Sequence, residues 1–279
     1  MNFRSNVMTL YTNNNVPYLK YNTLEKIPFI NHAFSTRLGG VSKGEFSTMN
    51  FAFNRGDNPE DVINNYKIFC NAAGFDFSTL VASSQDHHTF VRKVTKAECG
   101  IGITKPKDIE SVDALVTNES GVTLVTYYAD CTPVFFVDTV KKVIGLAHAG
   151  WRGTVGKICK NVIDTMVNDY GSSVEDIICC IGPAISKCCY EIDKKCYNEF
   201  VKAGNIDIEK IMTDKGNGKY MANLLETNRQ IIESCGVPNK NIVLSDVCTM
   251  CNSELLWSHR ATNGRRGTMC AFMCINESE

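Results

Sequence analysis

Seven consecutive residues concentrate the chemistry of this chain: Ala147-His148-Ala149-Gly150-Trp151-Arg152-Gly153, straight after the apolar run Val143-Ile144-Gly145-Leu146. They set an imidazole, an indole and a guanidinium at the end of a buried strand, where glycines let other groups approach the backbone. Two further segments have the same polar-after-apolar context. Gln85-Asp86-His87-His88 follows an apolar-to-polar switch, and Tyr128-Ala129-Asp130-Cys131-Thr132-Pro133 lies between Val122-Thr123-Leu124-Val125 and Val134-Phe135-Phe136-Val137.

One cysteine and two histidines form a donor set for a catalytic zinc, which takes thiolate and imidazole ligands at about 2.0–2.3 Å and keeps a fourth position open. His87, Cys131 and His148 each end an apolar run and stand near another polar residue, namely Gln85, Asp130 and Arg152. Residue types alone leave three alternatives open. The three could be packed or hydrogen-bonded core residues. Cys131 and His148 could form the nucleophile and base of a cysteine hydrolase, with Asp130 or Gln85 in support. The site could also stabilise a binding module that performs no catalysis, although no adaptor helix or interaction tail is evident. A multicopper oxidase needs more histidines than the five here.

Composition narrows the remaining classes. The 279 residues carry a formal net charge of −1, with no basic arm, which gives no long-range reason to bind nucleic acid or an anionic membrane. The N-terminus lacks the apolar core of a signal peptide, and no run approaches the roughly 20 apolar residues that a membrane-spanning helix needs. Fourteen cysteines then point to a reducing cytoplasm rather than to a disulfide framework. Those in Ile177-Ile178-Cys179-Cys180-Ile181 and in Met269 to Cys274 read as small hydrophobes. Cys248-Thr249-Met250-Cys251 has the CxxC spacing of a redox pair or half a zinc knuckle, but with no second CxxC or HxxxH nearby and no thioredoxin-type helix after it a structural zinc or redox role is the lesser reading; the adjacent Cys188-Cys189 pair is poorly spaced to chelate one ion and reads as packing.

The elements that must position these residues alternate along the chain. A strand is expected from Pro28 to Ser35, followed by the turn-rich Thr36 to Gly44. A helix is expected from Asn58 as cap, with Pro59 at its first position and Val62, Tyr66 and Phe69 facing the core. Short β-branched strands follow at Ala114 to Val116, Thr123 to Thr126, Val134 to Val137 and Val143 to Ala147. A helix is expected at Gly156 to Val167, a strand at Ile177 to Ile181, helices at Lys194 to Ala203 and Ala222 to Cys235, and strands at Ile242 to Ser245 and Thr268 to Cys274. With no repeat and no linker, residues 1–279 are expected to form one α/β domain on mixed sheet.

Several motifs occur in one order: Ser35-Thr36-Arg37 with Gly39-Gly40-Val41-Ser42, Met49-Asn50, Gly56-Asp57, Gln85-x-His87, Ala129-Asp130-Cys131, and His148 to Gly153. Ile181-Gly182-Pro183, Cys189-Tyr190-Glu191, Cys248-Thr249 and Ser258-His259-Arg260 complete the set. From about Phe34 to its end the chain resembles the purine nucleoside phosphorylase family first described as laccase-domain or multicopper polyphenol oxidases. The resemblance implies a single-domain mixed-sheet α/β sandwich related to bacterial deamidase toxin domains. It also implies that His87, Cys131 and His148 are both the metal ligands and the catalytic residues, holding zinc, with copper as the alternative.

The implied substrates are purine nucleosides and phosphate: adenosine, inosine, guanosine and methylthioadenosine are split to base and ribose 1-phosphate, and adenosine is deaminated. Zinc brings the pKa of a bound water to about 7, which suits attack on C6 of adenine. Phosphorolysis instead needs a cationic pocket. Arg37, Arg55 and Arg152 are candidates for phosphate or ribose, since guanidinium binds such oxygens in a bidentate fashion. Ser35, Ser42 and Asn50 are further hydrogen-bond candidates, and Gln85 and Asp130 would support the ligands or meet the base. The chain departs from the family pattern at His88, where glycine is common, and at His259, where tyrosine is common. His88 raises the question of which neighbouring imidazole faces the ion.

Overall fold

Both main sheets of the computed structural model, which describes residues 3–277, have six strands and share one central core. The first runs in the order Met8–Asn13, Val16–Tyr21, Ile30–Ser35, Met269–Ile275, Thr123–Tyr128 and Leu80–Ala82. The second runs Ile242–Leu244, Ile177–Ile181, Thr132–Asp138, Val143–Ala149, Val112–Thr117 and Phe90–Lys93. Each mixes antiparallel with parallel pairs, as in Met269–Ile275 against Thr123–Tyr128 and Leu80–Ala82 against Thr123–Tyr128.

The strand sequences explain the layering. Thr132–Asp138 is buried along its whole length. Phe135 and Val137 enter the core between the sheets, with Phe34, Leu124 and Leu146. Val134 and Phe136 point the other way, toward Val162 and Met166 of the helix Ile158–Tyr170 and Ile231 of the helix Leu224–Ser234. The outer face of the first sheet is covered by the helix Pro59–Ala73, whose Val62, Tyr66 and Phe69 pack on Phe272. A strand with apolar neighbours on both faces reads as a continuous apolar run, which is why these segments are so evident in the sequence. The result is a mixed α/β sandwich of helix, sheet, sheet and helix layers, with a separate three-stranded sheet of Glu191–Asp193, Lys219–Ala222 and Met212–Gly216.

The expected elements occur with ends shifted by a few residues, and the Asn58 cap is present: its side chain accepts the Glu60 amide at 3.0 Å. The hairpin of Met8–Asn13 and Val16–Tyr21 lies outside the expected elements. It turns through Asn14 and Asn15, whose φ values of 50° and 63° belong to the left-handed turn that asparagine tolerates. The helix Trp151–Val155 also lies outside the expected elements, because five residues between Gly150 and Gly156 are too few to carry an apolar period. No helix among the described residues is long and apolar enough to cross a membrane.

Candidate metal centre and its cavity

Antiparallel register brings two of the three expected ligands together. Pro133 stands opposite His148 and Thr132 opposite Ala149, so Cys131, one residue before the strand, emerges beside His148. His87 arrives from the loop between Leu80–Ala82 and Phe90–Lys93. The donor atoms of His87, Cys131 and His148 lie within 4.8 Å of one another, and the two imidazole rings meet edge to face with centroids 4.8 Å apart. His148 is buried, Cys131 half-buried and His87 exposed at the mouth. The neighbouring His88 turns away to Asp86, 2.6 Å from its Nδ1, so only His87 of the two faces this cluster.

One carboxylate that the sequence reading missed organises two of these ligands. Asp113, buried on the strand Val112–Thr117, places Oδ1 2.8 Å from Nδ1 of His148. The same carboxylate accepts the backbone N–H groups of Asp86, His87 and His88 at 3.2, 3.0 and 2.9 Å. The first interaction turns the other ring nitrogen of His148 to the cluster and fixes its tautomer, the usual arrangement of a carboxylate behind a ligating histidine. The second holds His87 at a left-handed φ of 73°, a conformation costing roughly 1–3 kcal/mol that the three bonds offset. An acidic residue inside the apolar run Val112-Asp113-Ala114-Leu115-Val116 was the available signal, because an ionised group is rarely buried without a partner.

Asp130 plays a comparable part for Cys131. It too has positive φ, 86°, and its carboxylate accepts Thr249 Oγ1 at 2.6 Å and the Arg260 amide at 2.7 Å, while its carbonyl accepts the Ile185 amide at 2.9 Å. Gly150 leaves room for the cluster: a Cβ there would stand 2.6 Å from Nδ1 of His87 and 3.3 Å from Sγ of Cys131.

The electrostatics favour an ionised thiol. Burial pushes the Cys131 thiol up, but the adjoining His148 imidazole and hydrogen bonds to His148 and His87 outweigh it and bring the pKa down to about 6. Burial lowers His148, whereas the Cys131 sulfur and the Asp113 carboxylate raise it, to about 9. A thiolate between imidazoles, with a carboxylate behind one of them, is a donor set that fits zinc; copper accepts the same ligand types.

The cluster opens into a cavity of about 440 Å³, within the usual size of small-molecule sites. Phe53 and Tyr127 supply aromatic surface, and Arg55, Lys107 and Arg266 supply positive charge. Arg266 is buried, and its Nε has no hydrogen-bond partner, while Nη1 is held by the Gly267 carbonyl at 3.1 Å and Thr268 Oγ1 at 2.9 Å. Burial and then the charge of Arg55 bring Arg266 down to about 10. Two guanidiniums that destabilise each other in a partly dry pocket are complementary to an anion.

The other expected contacts are distributed unevenly. Arg55 and Gln85 line the cavity. The Gln85 amide is committed to the backbone of Tyr127, at 2.6 Å from Nε2 and 2.9 Å to Oε1. Arg37 lies elsewhere, its guanidinium 3.8 Å from the Trp257 ring centroid and bonded to the Ser253 carbonyl at 2.8 Å. Arg152 stacks on Trp151 at 4.4 Å and lines a separate open groove with Tyr190 and Arg260. Ser35 accepts the Cys270 amide at 2.9 Å; Ser42 and Asn50 meet at Asp57, at 2.6 and 2.8 Å. These side chains tie chain segments to one another, outside the cavity lining. Arg266 and Lys107, which do line it, are not among the contacts expected from the sequence. The partner that Cys248-x-x-Cys251 lacks in the sequence is supplied by the fold, which brings its sulfurs and those of Cys188 and Cys189 within 4.8 Å of one another.

The chain matches, over residues 31–276, the family model described as multi-copper polyphenol oxidoreductase laccase. It is 35% identical over 240 residues to a protein of Geobacillus stearothermophilus named purine nucleoside phosphorylase YlmD, covering 86% of this chain and 88% of that one. It is 33% identical over 246 residues to the protein of the same name from Bacillus subtilis, with 88% of each covered. The crystal structure of YlmD from Geobacillus stearothermophilus superposes with a TM-score of 0.91 at 32% identity, covering 98% of this chain and all of that one.

Proposed function

The chain belongs to the multi-copper polyphenol oxidoreductase laccase family, and from that membership we propose that it is a metal-dependent purine nucleoside phosphorylase that also deaminates adenosine. The observation that carries the reading is the opening of the His87, Cys131 and His148 cluster into a cavity that pairs aromatic walls with Arg55, Lys107 and Arg266. A purine nucleoside asks for a flat apolar slot, and phosphate asks for converging cations. Both are available within one enclosure.

In phosphorolysis a phosphate oxygen forms a bond to C1′ as the N-glycosidic bond breaks, and the base leaves with the bonding electrons and gains a proton. Arg266 and Arg55, both in the cavity wall, would hold the phosphate and neutralise its charge; Lys107 would add to the field. Phe53 and Tyr127 would flank the base and exclude water. The ligands fit zinc, which when bound would supply Lewis acidity and an acidified water, the chemistry suited to deamination at C6. His87, Cys131 and His148 would hold it, Asp113 would keep two of them in place, and copper is the alternative ion for the same donors. Cytoplasmic residence accords with fourteen unpaired cysteines.

One observation favours a second reading. Asp113, His148 and Cys131 line up as carboxylate, imidazole and a thiol of lowered pKa, the components of a cysteine hydrolase. The presence of His87 on the same sulfur favours the metal.

Product analysis separates the two. Adenosine incubated with the metal-quantified protein should give adenine and ribose 1-phosphate only with phosphate, and inosine without it, both lost in His148→Ala. Turnover of no purine nucleoside at stoichiometric zinc would refute the proposal. Rapid alkylation of Cys131 together with activity that survives chelation would establish the hydrolase.

A further inference from the structure

A second group of donors stands apart from the cavity. Cys188 and Cys189 lie in the turn after Ile177–Ile181, and Cys248 and Cys251 in the turn after Ile242–Leu244. Their isolation in the sequence disappears in the fold, because these parallel neighbouring strands deliver both turns to one place. Beyond the strands Ala184 bridges to Cys248, and the Thr249 amide bonds the Ala184 carbonyl at 3.1 Å. Ser186 then accepts the amides of Cys189 and Tyr190 at 2.9 and 3.0 Å, a tight turn that swings both adjacent thiols toward Cys251.

The spacing of the sulfurs is informative. Cys188 and Cys189 are 3.6 Å apart, Cys188 and Cys251 3.7 Å, and Cys189 and Cys251 3.4 Å; all four sulfurs lie within 4.8 Å of one another. A disulfide requires about 2.05 Å, so none of these pairs is bonded. Four thiolates around zinc at about 2.3 Å occupy the corners of a tetrahedron with edges of about 3.8 Å, close to the three measured separations. A polynuclear iron–sulfur cluster spreads its thiolates farther, because several irons stand between them. A second observation concerns charge: the Ser186 backbone N–H points at Sγ of Cys248, at 3.4 Å. Amide donors to sulfur stabilise thiolate, as hydrogen bonding to a ligating sulfur does in other metal centres.

From this geometry we propose that Cys188, Cys189, Cys248 and Cys251 form a structural zinc site, distinct from the His87, Cys131 and His148 cluster. Binding replaces the thiol protons with the metal and releases them to solvent. Cys248 is the buried anchor, and Cys188 and Cys251 are exposed, which gives the ion a way in. The other buried thiols, Cys159, Cys179 and Cys270 among them, sit singly or in the core as hydrophobes.

The site stabilises more than its own turns. Ile185 and Thr249, from the two joined segments, both bond Asp130, the residue before Cys131. The ion therefore acts as a positioning element for the loop that presents Cys131.

The test removes the other cluster first, so that its outcome is independent of the proposed reaction. Protein carrying His87→Ala and His148→Ala, purified with reductant, should retain about one zinc per chain, and X-ray absorption at the zinc edge should show sulfur alone at about 2.3 Å. Adding Cys188→Ser and Cys251→Ser should lower zinc below about a tenth per chain. Absence of zinc from the folded histidine variant would overturn the proposal. Iron in place of zinc, nitrogen or oxygen in the first shell, or a mass showing a disulfide among these four cysteines would do the same. The absorption spectrum needs no cysteine change, so failure of the serine variant to fold leaves the test intact.

Discussion

The Asp113 carboxylate lies 2.8 Å from Nδ1 of His148, and both side chains are buried. Since the same carboxylate also holds the backbone of His87, one residue controls two ligands. Asp113→Asn keeps the volume but turns an N–H group toward donors. Metal affinity should fall roughly 10–100-fold, the range seen when a histidine's supporting carboxylate is lost. Competition with a chromophoric chelator measures this. Unchanged affinity would show that Asp113 is only a structural partner of the strand.

Gly150 offers a cleaner steric test. Its φ of −64° and ψ of 169° suit any residue, so alanine there meets no backbone strain. The added methyl group would nevertheless stand 2.6 Å from His87 Nδ1. Gly150→Ala should therefore displace His87 and abolish metal-dependent turnover. The fold should lose only on the order of 1 kcal/mol, or roughly 2–4 °C in Tm. Full metal content in that variant would mean that His87 does not ligate.

The cationic side of the cavity makes its own prediction. As a guanidinium in the cavity wall, Arg266 should contribute a charge-assisted bond to phosphate, worth about 1.5–3 kcal/mol. Arg266→Met should raise KM for phosphate about 10–100-fold. Lysine should rescue little, because it cannot reproduce the planar fork. Arg37→Met is the contrast: Arg37 stacks on Trp257 outside the cavity lining, so that variant should lose stability and keep its phosphate KM. Initial rates at saturating nucleoside, with phosphate varied, distinguish the two.

These cases show what a linear chain can reveal. His87, Cys131 and His148 were legible because each follows an apolar run, and a strand with both faces buried ends where polar residues begin. Asp113 was hidden for the opposite reason, as it lies inside such a run and its function comes from register with Val143–Ala149. The four-cysteine cluster was invisible because its halves are about sixty residues apart and meet only through the pairing of Ile177–Ile181 with Ile242–Leu244. Arginines gave the least guidance: Arg37 and Arg55 are equally polar in sequence, and only packing sends one to an indole and the other to the cavity.

His32 gives the fold an acid sensitivity of its own. It is buried between the sheets near Phe135, and its Nε2 accepts the Tyr21 amide at 2.8 Å, so the folded state requires the neutral ring. Burial, with a smaller effect of Lys20, lowers its pKa to about 3, against the ordinary 6.5 of the unfolded chain. Between those values the unfolded state binds a proton that the folded state does not. Stability is therefore unaffected by this group above about pH 6.5 and falls as pH drops toward 3, by about 1.4 kcal/mol per unit. His32→Gln retains an acceptor for Tyr21 without titrating. Urea unfolding at pH 7.5 and pH 5 should show the unsubstituted protein losing about 2 kcal/mol more than His32→Gln. Equal losses would place the acid sensitivity elsewhere.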